Sequence, residues 1–264
     1  MKIRFTLLSV FIILNTCLSA QTSFVFETFI DPSGAELMYR LLKPAHSKKS
    51  KKYPLVIFLH GAGERGDDNL EQLTHGAALF EDKRNRRKFP AYVLFPQCPA
   101  EAYWATRNAK IENKSFKFGF DYSLPPGLPL QQVFDLIELY KILPSVDSNR
   151  IYIMGLSMGG MGTLEAISRH PELFAAAIPI CGGGDLSYVK NFASVVPVWI
   201  FHGAKDDVVS PEYSRNMVRQ IVSEGGSPRY TEYPEANHNS WDAAFRTPDL
   251  LNWLFNQKKN ASLK

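Results

Sequence analysis

The chain has 264 residues, 45% of them apolar, which predicts one sizeable domain around a single hydrophobic core. Its formal net charge is +4, from 30 basic and 26 acidic residues, and this small excess gives no reason to expect a nucleic-acid partner. The densest basic run, residues 48–52, also contains a serine and precedes an apolar segment, so it is typical of a solvated loop.

The first twenty residues are typical of a cleaved secretory signal. Lys2 and Arg4 precede an apolar stretch over residues 5–14, and small residues end at Ala20. The apolar stretch is too short to cross a hydrocarbon core of ~30 Å comfortably. We therefore expect residues 1–20 to be a signal peptide and the protein to be exported, either periplasmic or secreted, with no stable membrane insertion after cleavage.

A lipid anchor at Cys17 is the second interpretation of this segment. Residues 14–17 loosely resemble a bacterial lipobox, but Thr16 is bulkier than the residue that normally precedes the cysteine. Removal of residues 1–20 leaves 28 basic against 26 acidic residues. Residues 21–264 are expected to form the single domain.

Alternating strand and helix patterns run through this domain. Residues 24–42 predict two strands joined by a turn with Pro32 and Gly34, which is an antiparallel hairpin. Short, nearly unbroken apolar runs then predict strands buried on both faces of a parallel sheet. These runs are residues 53–60, 92–96, 151–155, 175–180 and 197–201.

Helical patterns separate the apolar runs. Residues 131–143 have amphipathic spacing, and residues 210–212 and 247–249 are helix start signals. The predicted fold class is therefore α/β, with a mostly parallel sheet, an N-terminal antiparallel hairpin and helices on both faces. Residues 99–130 are rich in aromatic residues and proline, so they predict a lid or substrate-binding insertion, with disorder as the alternative.

The strongest chemical signal is G-x-S-x-G at residues 155–159, between a predicted strand and a predicted helix. A sharp turn in this setting exposes the serine, and glycines two residues to either side avoid collisions with neighbouring chain. A purely structural explanation leaves the further glycines at 160 and 162 unexplained, because glycine costs up to about 1 kcal/mol in a helix. We predict that Ser157 is a nucleophile.

A serine nucleophile needs a histidine base, and that histidine needs an acid to orient it. Of the six histidines, only His238 follows a plausible acid-bearing strand, and it lies in a polar loop. His46, His75 and His170 have ordinary loop or helix-end settings, and His202 is expected to brace the acid loop. His238 is therefore the predicted base.

The predicted acid follows the strand over residues 197–201. Asp206 and Asp207 lie just beyond it, at the end of a parallel strand where active sites of open α/β sheets assemble. An acidic pair on a loop is otherwise usually solvated. Asp206 is the first candidate and Asp207 the reserve.

An oxyanion formed at the serine would need two backbone donors. One is expected at Met158, directly after the nucleophile, and the other at Ala62 in the glycine-rich loop over residues 60–66. A phosphate-binding loop is the weaker interpretation, because neither a Walker lysine nor dinucleotide-type glycine spacing is present. No cofactor is expected, and no histidine or cysteine pair has the spacing of a metal site.

Taken together, the motifs resemble bacterial secreted phospholipase/carboxylesterase-type α/β-hydrolases, some labelled predicted peptidases, with feruloyl and acetyl esterases as relatives. They span nearly the whole mature chain in the family's order. They are residues 59–66 (LHGAGERG), 96–99 (PQCP), 155–160 (GLSMGG), 202–206 (HGAKD) and 238–241 (HNSW). The resemblance implies the acid at Asp206, three residues after His-Gly, and supports Ala62 as a donor. Its strand order also implies that Cys98 and Cys181 are too far apart to form a disulfide.

The resemblance and the motifs predict a serine esterase that cleaves carboxylic esters through an acyl-enzyme on Ser157. The expected substrate is a small-molecule or polysaccharide-linked ester. A serine peptidase of prolyl-oligopeptidase-like type, a non-catalytic carbohydrate-binding relative and an acyltransferase are the alternatives. Tyr103, Trp104 and Trp241 lie beside motif residues, but core packing explains each of them as well as binding does.

Overall fold

The computed structural model describes residues 22–112 and 115–259. The predicted signal peptide, with Cys17, lies outside the described residues. In the described part of the chain, no helix has the length and apolar character needed to cross a membrane.

The strands form one large sheet and one separate hairpin. Numbered in chain order, they are β1 (Val25–Ile30), β2 (Glu36–Leu42), β3 (Tyr53–Leu59), β4 (Tyr92–Pro96), β5 (Arg107–Glu112), β6 (Ser115–Phe120), β7 (Val146–Leu156), β8 (Ala176–Ile180), β9 (Trp199–Gly203) and β10 (Arg229–Tyr233). The eight-stranded sheet has the order β1-β2-β4-β3-β7-β8-β9-β10, and β5 pairs only with β6. The β1–β2 and β2–β4 pairings are antiparallel, and the rest of the large sheet is parallel. The predicted mostly parallel sheet with an antiparallel N-terminal hairpin is confirmed.

Helices cover both faces of the sheet. They are α1 (Ala77–Glu81), α2 (Lys83–Lys88), α3 (Leu128–Lys141), α4 (Met158–Arg169), α5 (Glu212–Ser223), α6 (Trp241–Phe245) and α7 (Leu250–Asn256). Because successive strand residues point to opposite faces, Leu55 and Ile57 of β3 join the core under α3, α4 and α5. Val56 and Phe58 join the second core, under α1, α6 and α7. Two cores on one sheet give the predicted three-layer arrangement.

The large sheet has eight strands, one more than the seven that the hairpin and the apolar runs together predict. β10 has the sequence RYTEY, and all but its first residue are half-buried. Its partner is β9 alone, so it lies at the edge of the sheet, where one side of the strand meets solvent. An edge strand needs no continuous apolar run, which is why the pattern does not reveal it.

The aromatic insertion over residues 99–130 contains an ordered hairpin, β5–β6, and runs into α3. Its first strand is anchored to α4, because the Glu165 carboxylate accepts hydrogen bonds from the Thr106 amide (2.5 Å) and the Thr106 hydroxyl (2.9 Å). Its second strand is anchored to α5, where the Tyr213 hydroxyl bonds both the amide and the carbonyl of Phe118 (2.8 and 3.2 Å). The insertion is therefore docked on the domain at two points.

Cys98 and Cys181 are both free and buried. They follow β4 and β8, and β3 and β7 lie between those two strands. The predicted absence of a disulfide is confirmed, because three strand spacings exceed the reach of the bond.

Helix α4 crosses the end of β3 at a distance that admits only glycine. A Cβ placed on Gly159 would lie 1.9 Å from the carbonyl oxygen of Leu59. The collision would be with backbone, which cannot swing aside as a flexible side chain can. Gly159, two residues after the serine, is therefore required for the packing of α4 on β3.

We expect Gly159→Ala to lower the free energy of unfolding by more than about 2 kcal/mol, because α4 must move off β3. Gly63→Ala is the matched control, since a Cβ at Gly63 meets nothing within 4 Å. The control should change stability by less than about 1 kcal/mol. Urea unfolding of both variants measures the difference, and equal stabilities would contradict the packing argument.

Candidate active site

Ser157 stands at a sharp turn between β7, which ends at Leu156, and α4, which begins at Met158. Its backbone has φ 52° and ψ −115°, a conformation that a residue with a side chain rarely adopts. The turn is held by a hydrogen bond from the Ser157 amide to the carbonyl of Ile180 in β8 (2.9 Å). The strain lifts the hydroxyl out of the sheet edge.

The side chains of Ser157, His238 and Asp206 are in direct contact. The Ser157 Oγ lies 3.0 Å from His238 Nε2, and His238 Nδ1 lies 2.8 Å from Asp206 Oδ2. A neutral imidazole fits both contacts if the hydroxyl donates to Nε2 and Nδ1–H donates to the carboxylate. The structure thus brings together the three residues that the sequence indicated, across 81 positions between serine and histidine.

Backbone contacts bring the acid loop and the histidine loop together. Ala204 and Lys205, just after β9, donate amide hydrogen bonds to the carbonyls of Tyr233 (3.0 Å) and Ala236 (2.9 Å). A Cβ on Gly203 would lie 2.2 Å from the carbonyl oxygen of Asn237. The glycine of the HGAKD segment therefore lets the chain before His238 pass directly over the end of β9.

The Asp206 carboxylate is buried and accepts hydrogen bonds on both oxygens. Oδ1 accepts from the amides of Val208 (3.0 Å) and Val209 (2.8 Å), and Oδ2 accepts from His238 and His202. Burial by itself raises the pKa of Asp206, but the hydrogen bonds from the two histidines and from the Val209 amide bring that pKa well below its ordinary value. The group is therefore an anion at neutral pH.

The prediction that His202 braces the acid loop is confirmed. Its Nε2 lies 3.1 Å from Asp206 Oδ2 and 2.9 Å from the carbonyl oxygen of Val209, and its Nδ1 lies 2.7 Å from the Ser214 hydroxyl. Two acceptors face Nε2, so Nε2 carries the proton and the hydroxyl donates to Nδ1. Asp207, the reserve acid, is exposed to solvent and does not contact His238.

The His60 ring fixes the orientation of one peptide in the loop after β3. His60 Nδ1–H donates to the carbonyl of Gly61 (2.6 Å), and His60 Nε2 accepts from the Cys98 amide (2.9 Å). Because the peptide between Gly61 and Ala62 is trans, fixing its carbonyl on the His60 ring turns the Ala62 N–H to the opposite side. Burial lowers the pKa of His60 to about 4, which keeps the ring neutral and able to make both bonds.

Ala62 and Met158 line the same cavity as Ser157, with a volume of about 250 Å³. Met158 is the first residue of α4, where amides have no partner within the helix. Ala62 is likewise the first residue of a short 3₁₀ helix, over residues 62–64. The cavity also has charged and aromatic walls, formed by Arg65, Arg107, Tyr103 and Phe118.

The three aromatic residues left unassigned have different positions. Trp104 is fully buried and donates its indole N–H to the carbonyl of His60 (3.1 Å), so it supports the loop. Trp241 packs its ring edge-to-face on His238, with 5.4 Å between ring centroids. Tyr103 is exposed and lines the cavity. Of the three, Tyr103 alone lines this cavity.

One group of metal-ligating atoms occurs within residues 22–112 and 115–259. The ligand atoms of Cys181, Asp206 and His238 all lie within 4.8 Å of one another. The Asp206 and His238 atoms already share a hydrogen bond. Burial, followed by the charge of Asp206, raises the pKa of the Cys181 thiol well above its ordinary value, which disfavours the thiolate that a metal binds. We assign this group no metal.

The sequence did not indicate the roles of His60, Arg65 and Arg107. His60 precedes the glycine-rich loop and resembles an ordinary motif residue until its ring is seen on the Gly61 carbonyl. Arg107 lies in β5, which the sequence did not predict as a strand. Of these three residues, only His60 has a position in the sequence that could have indicated a role, because it directly follows a buried strand.

We expect the stability gap between wild type and Asp206→Asn to depend on pH. Because the folded-state pKa of Asp206 is lowered, its contribution is complete above the unfolded pKa of ~3.9 and is lost as pH falls below that value. Urea unfolding between pH 3 and pH 7 should show a constant gap at neutral pH that narrows in acid. Asp207→Asn, an exposed neighbour, is the control, and a gap that does not vary with pH would contradict the role of the histidine bonds.

The chain is similar to several ester hydrolases. A family described as PET hydrolase-like matches residues 130–250, which include the serine, the acid and the histidine. A crystal structure of a thermostable esterase is 42% identical, with a TM-score of 0.80, over 90% of this chain and 64% of that one.

Curated relatives are matched over part of their length. A secreted protein of Arthroderma benhamiae is 26% identical over 89% of this chain, and a bifunctional acetylxylan esterase/xylanase of Neocallimastix patriciarum is 31% identical over 72% of it. The chain spans about a quarter of each of these two proteins, 27% and 25%. The similarity to the thermostable esterase, at a TM-score of 0.80, shows that the chain has the α/β-hydrolase fold.

Proposed function

We propose that the protein is a serine hydrolase that cleaves carboxylic esters through an acyl-enzyme on Ser157. His238 acts as the base, Asp206 orients it, and the amides of Ala62 and Met158 stabilise the oxyanion. The observation that carries the proposal is the unbroken path of hydrogen bonds from the Ser157 hydroxyl through His238 to Asp206. Such a path has little structural purpose at a strained, partly exposed turn.

The first step is attack on the ester carbonyl. As the Ser157 oxygen bonds to the carbonyl carbon, its proton passes to His238 Nε2, and the resulting imidazolium is stabilised by the Asp206 anion. The carbonyl oxygen becomes negative, and two amide donors lower the energy of that charge. The tetrahedral carbon then expels the alcohol, which takes the proton from His238.

The second step releases the acid. Water occupies the place of the alcohol, gives its proton to His238 and attacks the acyl carbon. Collapse returns that proton to Ser157 and frees the carboxylic acid. The His238 imidazole accepts and returns every proton transferred in the cycle, so the reaction needs no metal and no cofactor.

The relatives favour ester cleavage over the other reactions that proteins of this fold catalyse. The thermostable esterase is 42% identical, and the partial relative from Neocallimastix patriciarum is named for acetylxylan esterase activity. Peptidase structures also match, but at 17–18% identity they indicate the fold alone. We therefore propose small-molecule or polysaccharide-linked esters as substrates, without a nucleic-acid partner.

We also propose that the protein is exported, to the periplasm or the medium, after removal of residues 1–20, so that residues 21–264 form the mature single domain. The basic and apolar pattern of the N-terminal segment supports this location. The similarity to a secreted protein of Arthroderma benhamiae supports it independently.

Ser157→Ala should reduce hydrolysis of 4-nitrophenyl acetate by a factor of about ten thousand or more, because the acyl-enzyme cannot form. Ser223→Ala, at an exposed position on α5, is the control and should retain activity. A fluorophosphonate probe should label the wild type and the control but not Ser157→Ala. Near-wild-type ester turnover by Ser157→Ala would refute the proposal, and faster turnover of a matched 4-nitroanilide would favour a peptidase.

Expression of the full chain in a bacterium with an intact export pathway should give a mature protein that begins at Gln21. Intact mass and N-terminal sequencing of the periplasmic fraction measure this, with Cys17→Ser as the control that cannot be lipidated. An added diacylglycerol mass at Cys17 would replace the cleaved-signal proposal with the lipid anchor. An unprocessed protein in the cytoplasm would contradict both.

A further inference from the structure

Two guanidinium groups share the cavity of the candidate nucleophile. Arg65, from the loop after β3, and Arg107, at the start of β5, both line the cavity that contains Ser157. Both also lie over the ring of Tyr103, with the guanidinium carbon 4.5 Å (Arg65) and 4.0 Å (Arg107) from the ring centroid. The two positive groups therefore share one aromatic ring as a neighbour, in the cavity that contains Ser157.

No carboxylate among the described residues forms an ion pair with either arginine. Arg65 donates from Nε to the carbonyl of Ala62 (2.9 Å) and from a terminal nitrogen to the carbonyl of Ala102 (3.3 Å). The Nε of Arg107 is buried and has no hydrogen-bond partner among the residues that the structure describes. A buried unsatisfied donor costs about 1–3 kcal/mol, and more when it is charged, so its presence in an active-site cavity indicates a ligand.

The carboxylate of Glu165 in α4 is bound by groups other than the two arginines. Glu165 is fully buried, pairs with Arg169 (2.7 Å) and accepts both hydrogen bonds from Thr106. It thereby fixes the backbone directly before Arg107 without neutralising the guanidinium. Burial lowers the pKa of Arg107, the charge interaction and side-chain hydrogen bond with Tyr103 raise it, and the like charge of Arg65 lowers it.

We propose that Arg65 and Arg107 bind a carboxylate carried by the substrate, so that the preferred esters are acidic ones. This inference rests on the proposed ester hydrolysis at Ser157. The planar fork of a guanidinium matches a carboxylate with two parallel hydrogen bonds, and two such forks facing one cavity exceed what packing around Tyr103 requires. The other walls, Phe118, Met161 and Val209, are apolar and would contact the carbon chain between the ester and the acid.

Matched pairs of esters test the proposal on each side of the scissile bond. For the acyl side, the mono-4-nitrophenyl ester of adipic acid is compared with 4-nitrophenyl methyl adipate, a chain long enough to limit self-cleavage by the free acid. For the alcohol side, (4-acetoxyphenyl)acetate is compared with its methyl ester. Within each pair the reacting group is the same, and the charge alone distinguishes the partners.

The wild type should cleave the acidic partner of at least one pair with a kcat/KM about tenfold or more above that of the neutral partner. Arg107→Gln should abolish this preference by lowering kcat/KM for the acidic ester about tenfold more than for its neutral partner, and Arg107→Lys should retain part of it. Arg84→Gln, which removes an exposed guanidinium from α2, controls for the loss of one positive charge and should keep the preference.

The outcomes separate this inference from the function beneath it. Hydrolysis of all four esters without an acid preference, or a preference that survives in Arg107→Gln, would overturn the carboxylate site and leave the esterase proposal intact. An equal loss on acidic and neutral esters in Arg107→Gln would assign the arginine a structural role and overturn the inference. Failure of wild type to cleave any of the four esters would remove the proposed function and the inference with it.

Discussion

The rest of the site depends on the hydrogen bonds that the Asp206 carboxylate accepts. It is buried at the end of β9, and four donors surround it: two backbone amides of its own loop and the rings of His202 and His238. Burial of an anion is unfavourable unless every oxygen is hydrogen-bonded, and here each oxygen accepts two bonds. The same bonds that stabilise the anion also fix the position of the imidazole. The stability of the acid loop and the orientation of the proposed base therefore depend on the same hydrogen bonds.

The parallel sheet supplies the geometry for this contact. The serine follows β7, the acid follows β9 and the histidine follows β10, and parallel strands end at the same edge of the sheet. Short backbone bonds then bring the loops within reach of one another, and glycines at 159 and 203 allow the closest approaches. The strained backbone of Ser157 persists because α4, β3 and β8 are packed rigidly around it.

The walls of the cavity come from a different source. The β5–β6 hairpin is an insertion between β4 and α3, and it is held on the domain by Glu165 and Tyr213 rather than by the large sheet. It contributes Arg107 and Phe118 to the cavity, whereas the sheet edge contributes the reacting groups. The cavity is therefore built jointly, because the insertion supplies Arg107 and Phe118 while the loop after β3 supplies Arg65.

The amino-acid sequence by itself determined the sheet and the identity of the proposed reacting residues. Buried strands have continuous apolar runs, and the strained turn requires glycines at positions 155 and 159. Both features can therefore be recognised from a short stretch of sequence. The tertiary structure alone decided that the His60 ring binds the Gly61 carbonyl, that β10 adds an edge strand to the sheet, and that β5 and β6 form a hairpin that brings Arg107 into the cavity. These features depend on which groups meet across long separations in the chain, and the polar, half-exposed residues involved follow no periodicity from which such a meeting could be predicted.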